Sequence, residues 1–428
     1  MKVYHHLLEI LFAVSFCALC ASAVDVLAAD WSFTPSATLS ESYDSNFRFV
    51  TTPLRGETKY DFITSFTPVV SINGETEQTK FNFDTTTPAQ AYINNPRFDI
   101  VNTNTVAGLT ETWSPRFSTT ATLGFVHDQT IEEQLQASGI VAQRTEHYQY
   151  NSGLGCTYGL NENLSLLVSG AYSKNDYPSG TVPDSDLYQA TISPTWSIDE
   201  RNNISLVNSL SSTDYSASTT TGNASKIDSL TEMLSFQRLF SDTLSMKLGG
   251  GYYFSTLDFT AFTPKIIGFK IVPPDRLVPN IILIPRPESA TEGGFVFSAD
   301  VKKDWTERLS TSFSAGRQQY NDVNTNSFNS TFVSGGAAYK WSELTTVSFS
   351  ARYNMNSQIA GGTQEFDYYN FIFSVERNLT ENFILRLSAS YELEYENSGG
   401  PGATTQSPDR YRTWVDLTYK WPRFFASH

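Results

Sequence analysis

The sequence predicts one transmembrane antiparallel up-and-down β-barrel of about 18 strands, with 16 as the alternative count, behind a secretory leader. Three observations predict it. After residue 29, apolar and small polar side chains alternate in segments of about ten to fourteen residues, close to the 9–11 that a tilted strand needs to cross a bilayer. Short polar turns alternate with long loops, the asymmetry of outer-membrane barrels. Large rings at Trp31, Trp113, Trp196, Phe240, Trp305, Trp341 and Trp421 fall beside the short turns or the chain ends, where they form a girdle at one membrane level. A soluble sandwich would place such rings mid-strand, and its strands would be nearer five or six residues.

Composition agrees. The chain has 428 residues, a formal net charge of −15 and only 17% charged residues, against about 25% in an ordinary soluble domain. Aromatic residues reach 14%, too many for a disordered chain. The acidic balance lacks the basic footprint of a nucleic-acid binder. Mean hydropathy is −0.28, and beyond residue 30 no apolar run approaches the roughly 18 residues of a spanning helix.

Residues 1–29 read as a signal peptide: Lys2, an apolar stretch from Ile10 to Leu19, then small residues with cleavage expected after Ala23 or near Ala28 and Ala29. Leu19 and Phe16, before Cys20 and Cys17, are too large for a lipoprotein site. With Cys17 and Cys20 removed, Cys156 stands alone and the mature chain has no internal disulfide. Residues 30–428 are expected to be the barrel, with no plug ahead of its first strand.

Short turns are expected at 73–75, 114–116, 161–163, 199–203, 241–242, 306–308, 342–343 and 380–382. Long loops are expected near 44–58, 87–99, 130–145, 176–186, 216–226, 260–290, 321–327, 357–364 and 397–409. Between them the alternation assigns faces, because successive strand residues point to opposite sides. Phe383, Leu385, Leu387, Ala389, Tyr391, Leu393 and Tyr395 oppose Arg386, Ser388, Ser390, Glu392, Glu394 and Glu396. Tyr411, Thr413, Val415, Leu417, Tyr419 and Trp421 oppose Arg410, Arg412, Trp414, Asp416, Thr418 and Lys420. An 18-strand cylinder has a backbone radius of roughly 18 Å, too wide for side chains to fill. Its lumen must hold water, an inserted loop or a substrate.

The phase places Cys156, Leu385, Leu387, Val415 and Leu417 toward lipid, where the thiol is inert. It places Lys247, Tyr253, Asp300, Lys302, Tyr320, Arg352, Tyr368, Glu376, Arg386, Glu392, Glu394, Trp414, Asp416 and Lys420 toward the lumen, among many Ser, Thr, Asn, Gln and Gly. Hydroxyls, amides and charges can hydrogen-bond sugar hydroxyls, and aromatic faces can stack on sugar rings; an ordinary wetted pore wall looks the same residue by residue. Glu392, Glu394 and Glu396 read as a solvated rim at the outer mouth. The stretch 261–290, with six prolines and many isoleucines, is too apolar for a free surface loop and is expected to fold over or into the lumen as a constriction, with contact to a partner or to lipopolysaccharide as the alternative.

No catalytic, cofactor or metal site is expected. His127 should face outward at the interface and His147 inward with Asp128 nearby, two interfacial histidines rather than part of a hydrolytic triad. No His or Cys pair has metal-ligand spacing. Gly249-Gly250-Gly251 lies within a strand and suits a bend or a close approach.

The first hairpin runs Pro35-Ser36-Ala37-Thr38-Leu39-Ser40-Glu41-Ser42-Tyr43-Asp44-Ser45-Asn46, then Asp61-Phe62-Ile63-Thr64-Ser65-Phe66-Thr67-Pro68. A strand ending in Tyr-Asp-Ser-Asn, followed by Asp-Phe-Ile-Thr and Thr-Pro, resembles the beta-barrel porin 2 family. The resemblance implies an outer-membrane barrel associated with exopolysaccharide synthesis and export, no enzymatic activity, and a first external turn pinned by Tyr43, Asp44 and Asn46. The expected function is therefore an outer-membrane channel for exopolysaccharide export in a Gram-negative cell. A general or solute-specific diffusion porin is the alternative, and a structural or adhesive barrel the third reading. Expected partners are outer-membrane lipid, lipopolysaccharide, and periplasmic and inner-membrane export components; nucleic acid is not among them.

Overall fold

Alternating strands become a wall only when every backbone group finds a partner, since lipid supplies none. The computed structural model describes residues 30–52, 58–129, 145–217, 224–272, 276–321, 327–358, 364–398 and 408–426. The leader, including Cys17 and Cys20, lies outside the described residues, as do most of the loops expected at 130–145, 216–226, 321–327, 357–364 and 397–409.

In chain order the strands are β1 (Asp30–Asp44), β2 (Asp61–Glu75), β3 (Thr79–Thr86), β4 (Ala89–Tyr92), β5 (Ile100–Val101), β6 (Thr103–Ser114), β7 (Phe117–Gln129), β8 (Glu146–Gly159), β9 (Leu164–Asp176), β10 (Ser185–Asp199), β11 (Asn202–Tyr215), β12 (Ser225–Ser241), β13 (Leu244–Val272), β14 (Arg276–Asp304), β15 (Leu309–Asn321), β16 (Ser327–Lys340), β17 (Thr345–Gln358), β18 (Gln364–Asn378), β19 (Phe383–Ser398), β20 (Asp409–Lys420) and β21 (Phe424–Ala426). Eighteen of these build the wall; β4, β5 and β21 are short additions. Each wall strand pairs antiparallel with the next, β3 directly with β6. The cylinder closes where β20 pairs with β1, from Ser36↔Lys420 to Asp44↔Arg412.

The two faces differ as a membrane wall requires. Leu39, Leu123, Ile192, Leu234, Phe254, Phe349, Leu387 and Val415 are large apolar side chains left exposed. Their strand neighbours of opposite parity are mostly Ser, Thr, Asn and Gln. Among the described residues, buried apolar side chains gather only into clusters of two or three, so there is no dry centre. Trp113, Trp196, Trp305, Trp341 and Trp421 are exposed at the short-turn ends. A closed barrel carrying an apolar outer band and an aromatic girdle is an outer-membrane protein.

Two expected elements are corrected. The turn at 73–75 shifts to 76–78, because β2 runs on through Glu75. Gly74 serves a close approach instead: a Cβ there would stand 2.9 Å from the Trp31 indole. The loop at 260–290 is largely strand. β13 and β14 stay paired out to Val272↔Arg276, with one irregularity between Ile266 and Gly268. Their outer neighbours stop earlier, β12 at Phe259 and β15 at Phe297. Beyond those points a two-stranded ribbon continues, roughly 40 Å long at about 3.3 Å per residue. Its prolines at 264, 279, 285 and 287 are tolerated because each strand of a ribbon has a free edge.

Candidate functional site

The candidate site is the lumen. In its periplasmic half the inner wall carries charges in cross-strand rows. Arg386 sits between Glu376, with which it forms an ion pair, and Asp416 on the other side. Lys247 is opposite Asp300, whose carboxylate accepts a bond from Ser314 Oγ at 2.7 Å. Lys302 lies between Ser245 and Ser312, and Lys420 opposite Ser36. Trp414 lies between Ser42 and Ser388, with the Arg412 guanidinium 5.0 Å from its ring. Hydroxyl pairs fill the same face: Thr38 with Thr418 at 2.8 Å, Ser348 with Ser374 at 2.6 Å and Thr195 with Ser205 at 2.9 Å. Acid alternates with base along these rows, so the wall presents many hydrogen-bonding groups and little net field.

The outer half is constricted by the first external loop. Tyr43 ends β1 on the lipid side, among Phe62 at 5.1 Å and Tyr411 at 5.7 Å. The chain then turns inward. Asn46, wholly buried, donates from Nδ2 to the carbonyls of Val50 and Asp409, each at 2.9 Å, and accepts from the Val50 N–H at 3.0 Å. Its own N–H donates to Asp44 Oδ1 at 2.9 Å. The Ser45 N–H donates to the Tyr411 carbonyl, and the Tyr411 N–H donates to Ser45 Oγ. The turn ends on Phe49, whose φ of 51° is unusual for a residue with a side chain. That conformation sends its ring onto Tyr368, 6.3 Å away, and under the Arg410 guanidinium at 5.8 Å.

Beneath the loop lies a buried charge cluster. Arg410 donates from Nε and Nη2 to Glu392 Oε2 at 2.9 and 2.8 Å, and its Nη1 stands 3.8 Å from Asp44 Oδ2. Tyr368 accepts from Asn370 Nδ2, and Arg352 donates to Asn354 Oδ1 at 3.0 Å while lying over Phe332 at 5.1 Å. Glu392 and Glu394 are thus not a solvated rim: they are 2% and 6% exposed, Glu392 lying under Arg410; the side chain of Glu396, expected beside them, lies outside those described.

The second external excursion completes the constriction. Phe47 packs against Ile63, Tyr92 and Phe98. Asp61 holds that excursion from below, accepting from the N–H groups of Phe62 and Asn94 through Oδ1 and from Asn95 Nδ2 through Oδ2 at 2.7 Å. Arg48 and Arg97 both lie over the Phe98 ring, at 5.7 and 4.8 Å.

Tyr253 faces inward and is buried, with its hydroxyl on Asn329; Tyr320 stands opposite Phe328. Cys156 shares a face with the exposed rings of Tyr150 and Tyr158, between Thr119 and Val168. Leu385 stands opposite Leu417, and Leu387 opposite Val415. His147 is buried, with Nδ1 2.9 Å from Asp128, Nε2 3.0 Å from Asn175 and its ring stacked on Tyr177. His127 stacks on Tyr148 and meets Glu146 at 3.1 Å. Both act as interstrand struts near the outer rim. Among the described residues, no group of three or more His, Cys, Asp or Glu side chains is placed to hold a metal ion.

The inward loop at 45–50 escaped the sequence reading, which gave the constriction to 261–290. The available signal was Phe47-Arg48-Phe49, two large rings in a loop otherwise taken for a surface connection.

No family model and no curated protein sequence matches the chain. Solved structures align with the chain over most of its length. OccK3 of Pseudomonas aeruginosa aligns at TM-score 0.44 and 11% identity, covering 91% of this chain and 95% of that one. OccAB2 of Acinetobacter baumannii aligns at 0.45 and 10%, covering 92% and 98%. The copper transporter OprC aligns at 0.48 and 9%, covering 91% and 80%.

Proposed function

We propose that this barrel is a channel through which a hydrated carbohydrate polymer, an exopolysaccharide, leaves the cell, delivered by periplasmic and inner-membrane export components. The observation that carries the reading is the inner wall: hydroxyl pairs, and charges set in alternating rows around Trp414. A sliding polymer needs many weak, interchangeable hydrogen bonds and no isolated charge that would hold it in one place. Stacked Arg412 and Trp414 add a flat surface for a sugar ring.

A second reading, a solute-selective diffusion porin, is favoured by the narrowing that the loop at 45–50 imposes on the outer mouth. One pair of measurements separates the two. Deleting the gene is expected to abolish surface polysaccharide while leaving uptake of small solutes unchanged. Surface polysaccharide at the wild-type level would overturn the export reading, and a solute-uptake defect in the same strain would establish the porin.

A further inference from the structure

One line of the wall is paired over only part of its height. β14 and β15 pair from Asp304↔Ser310 outward to Phe297↔Arg317 and stop. Yet β15 continues to Asn321 along β16, and β14 continues outward along β13.

Above that point the faces interleave. On β12 and β13, Leu234, Tyr252 and Phe254 are exposed toward lipid, so Ser229, Tyr253 and Ser255, of opposite parity, point to the lumen. On β15 and β16, Phe313 and Val333 are exposed toward lipid, so Gln319 and Asn329, of the same parity, point outward. Nevertheless the Tyr253 hydroxyl donates to Asn329 Oδ1 at 2.8 Å. Gln319 Nε2 donates to Ser255 Oγ at 3.0 Å, and Ser229 Oγ to Gln319 Oε1 at 3.4 Å. An outward face touching an inward face means that the outer ends of β15 and β16 lie on the lumen side of β12 and β13. The wall overlaps itself there.

We infer that the β14–β15 seam is a gate: the outer ends of β15 and β16 form a leaf, folded into the lumen, that swings back to the wall and widens the mouth. Neutral side-chain hydrogen bonds hold the leaf, and water replaces them at small net cost, whereas a broken backbone ladder in lipid finds no substitute. The open position is already written in the register. Continuing the β14–β15 ladder outward brings Gln318 opposite Val296, Gln319 opposite Phe295 and Tyr320 opposite Gly294. Every face then agrees, with Phe295 and Gln319 outward and Gly294 and Tyr320 inward. The gate rests on the reading of the barrel as a channel.

The test locks the leaf in each position in a Cys156→Ser background. In the pair Ser255→Cys/Gln319→Cys, a short reducible bis-methanethiosulfonate bridges the folded leaf. In the pair Phe295→Cys/Gln319→Cys, an oxidant bridges the zipped ladder. In planar bilayers the first cross-link is expected to cut open time at least tenfold and the second to hold the larger conductance, with reduction reversing the first. Failure of the first pair to cross-link would overturn the gate, as would conductance that neither bridge changes. If the unmodified protein carries no current at all, the channel reading falls and the gate with it.

Discussion

Asn46→Ala tests the constriction most directly. The side chain makes three hydrogen bonds, two donated to the carbonyls of Val50 and Asp409 and one accepted from the Val50 N–H. At about 1 kcal/mol net each, their loss weakens the inward position of the loop by roughly 3 kcal/mol. That is about two powers of ten in the folded-in equilibrium. The Arg410–Glu392 pair and the barrel ladders are untouched, so the barrel itself should remain folded. Released, the loop exposes Arg48, now packed over Phe98. Trypsin added to intact cells should therefore cleave after Arg48 in the variant, on the order of a hundred times faster than in the wild-type protein. Single-channel conductance of the purified variant should rise as the mouth widens. Asn46→Asp, which keeps an acceptor for Val50 but turns a carboxylate oxygen toward both carbonyls in a buried site, should release the loop at least as far as Asn46→Ala. Wild-type protection of Arg48 in Asn46→Ala, together with unchanged conductance, would refute the claim that this residue holds the constriction.

Three further outcomes follow from the faces of the wall. Leu387→Arg places a charge on the lipid face and should lower the folding free energy in vesicles by about 2–4 kcal/mol, whereas Ser312→Arg on the lumen face should change it by less than about 1 kcal/mol, both read by urea titration. Cys156 should resist a membrane-impermeant maleimide in intact outer membranes and react fully once the barrel is unfolded in hot detergent; ready labelling of the native barrel would place the thiol on the wrong face. Gly74→Val drives a side chain into the Trp31 indole and should cost about 1–3 kcal/mol, whereas the loop-tip change Gly180→Ala, which meets nothing within 4 Å, should cost only what its φ of +63° imposes.

Strand alternation, turn positions and the aromatic girdle were legible because they are local. A period of two assigns the face of Leu387 from its immediate neighbours, and Thr306-Glu307-Arg308 announces its turn without reference to any distant residue. The exception at Gly74 has the same logic: glycine after asparagine reads as a turn, but the Trp31 ring that requires it lies on another strand. Glu392 and Glu394 read as solvated because alternating acids beside a loop usually are; that both are buried, with Arg410 set between Glu392 and Asp44 on a strand nearly 350 residues away, is invisible locally.

The sequence by itself determined a closed amphipathic cylinder of about 18 strands, since that follows from periodicity and from the need of a membrane-embedded backbone to pair. Only the tertiary structure decided how the cylinder is narrowed. Asn46 meets Asp409 across 363 positions of chain, and Tyr253 meets Asn329 across a seam between strands that could equally have zipped. Contacts of that kind depend on which way a loop or a strand end falls once the wall has closed, and short-range pattern carries no record of that choice.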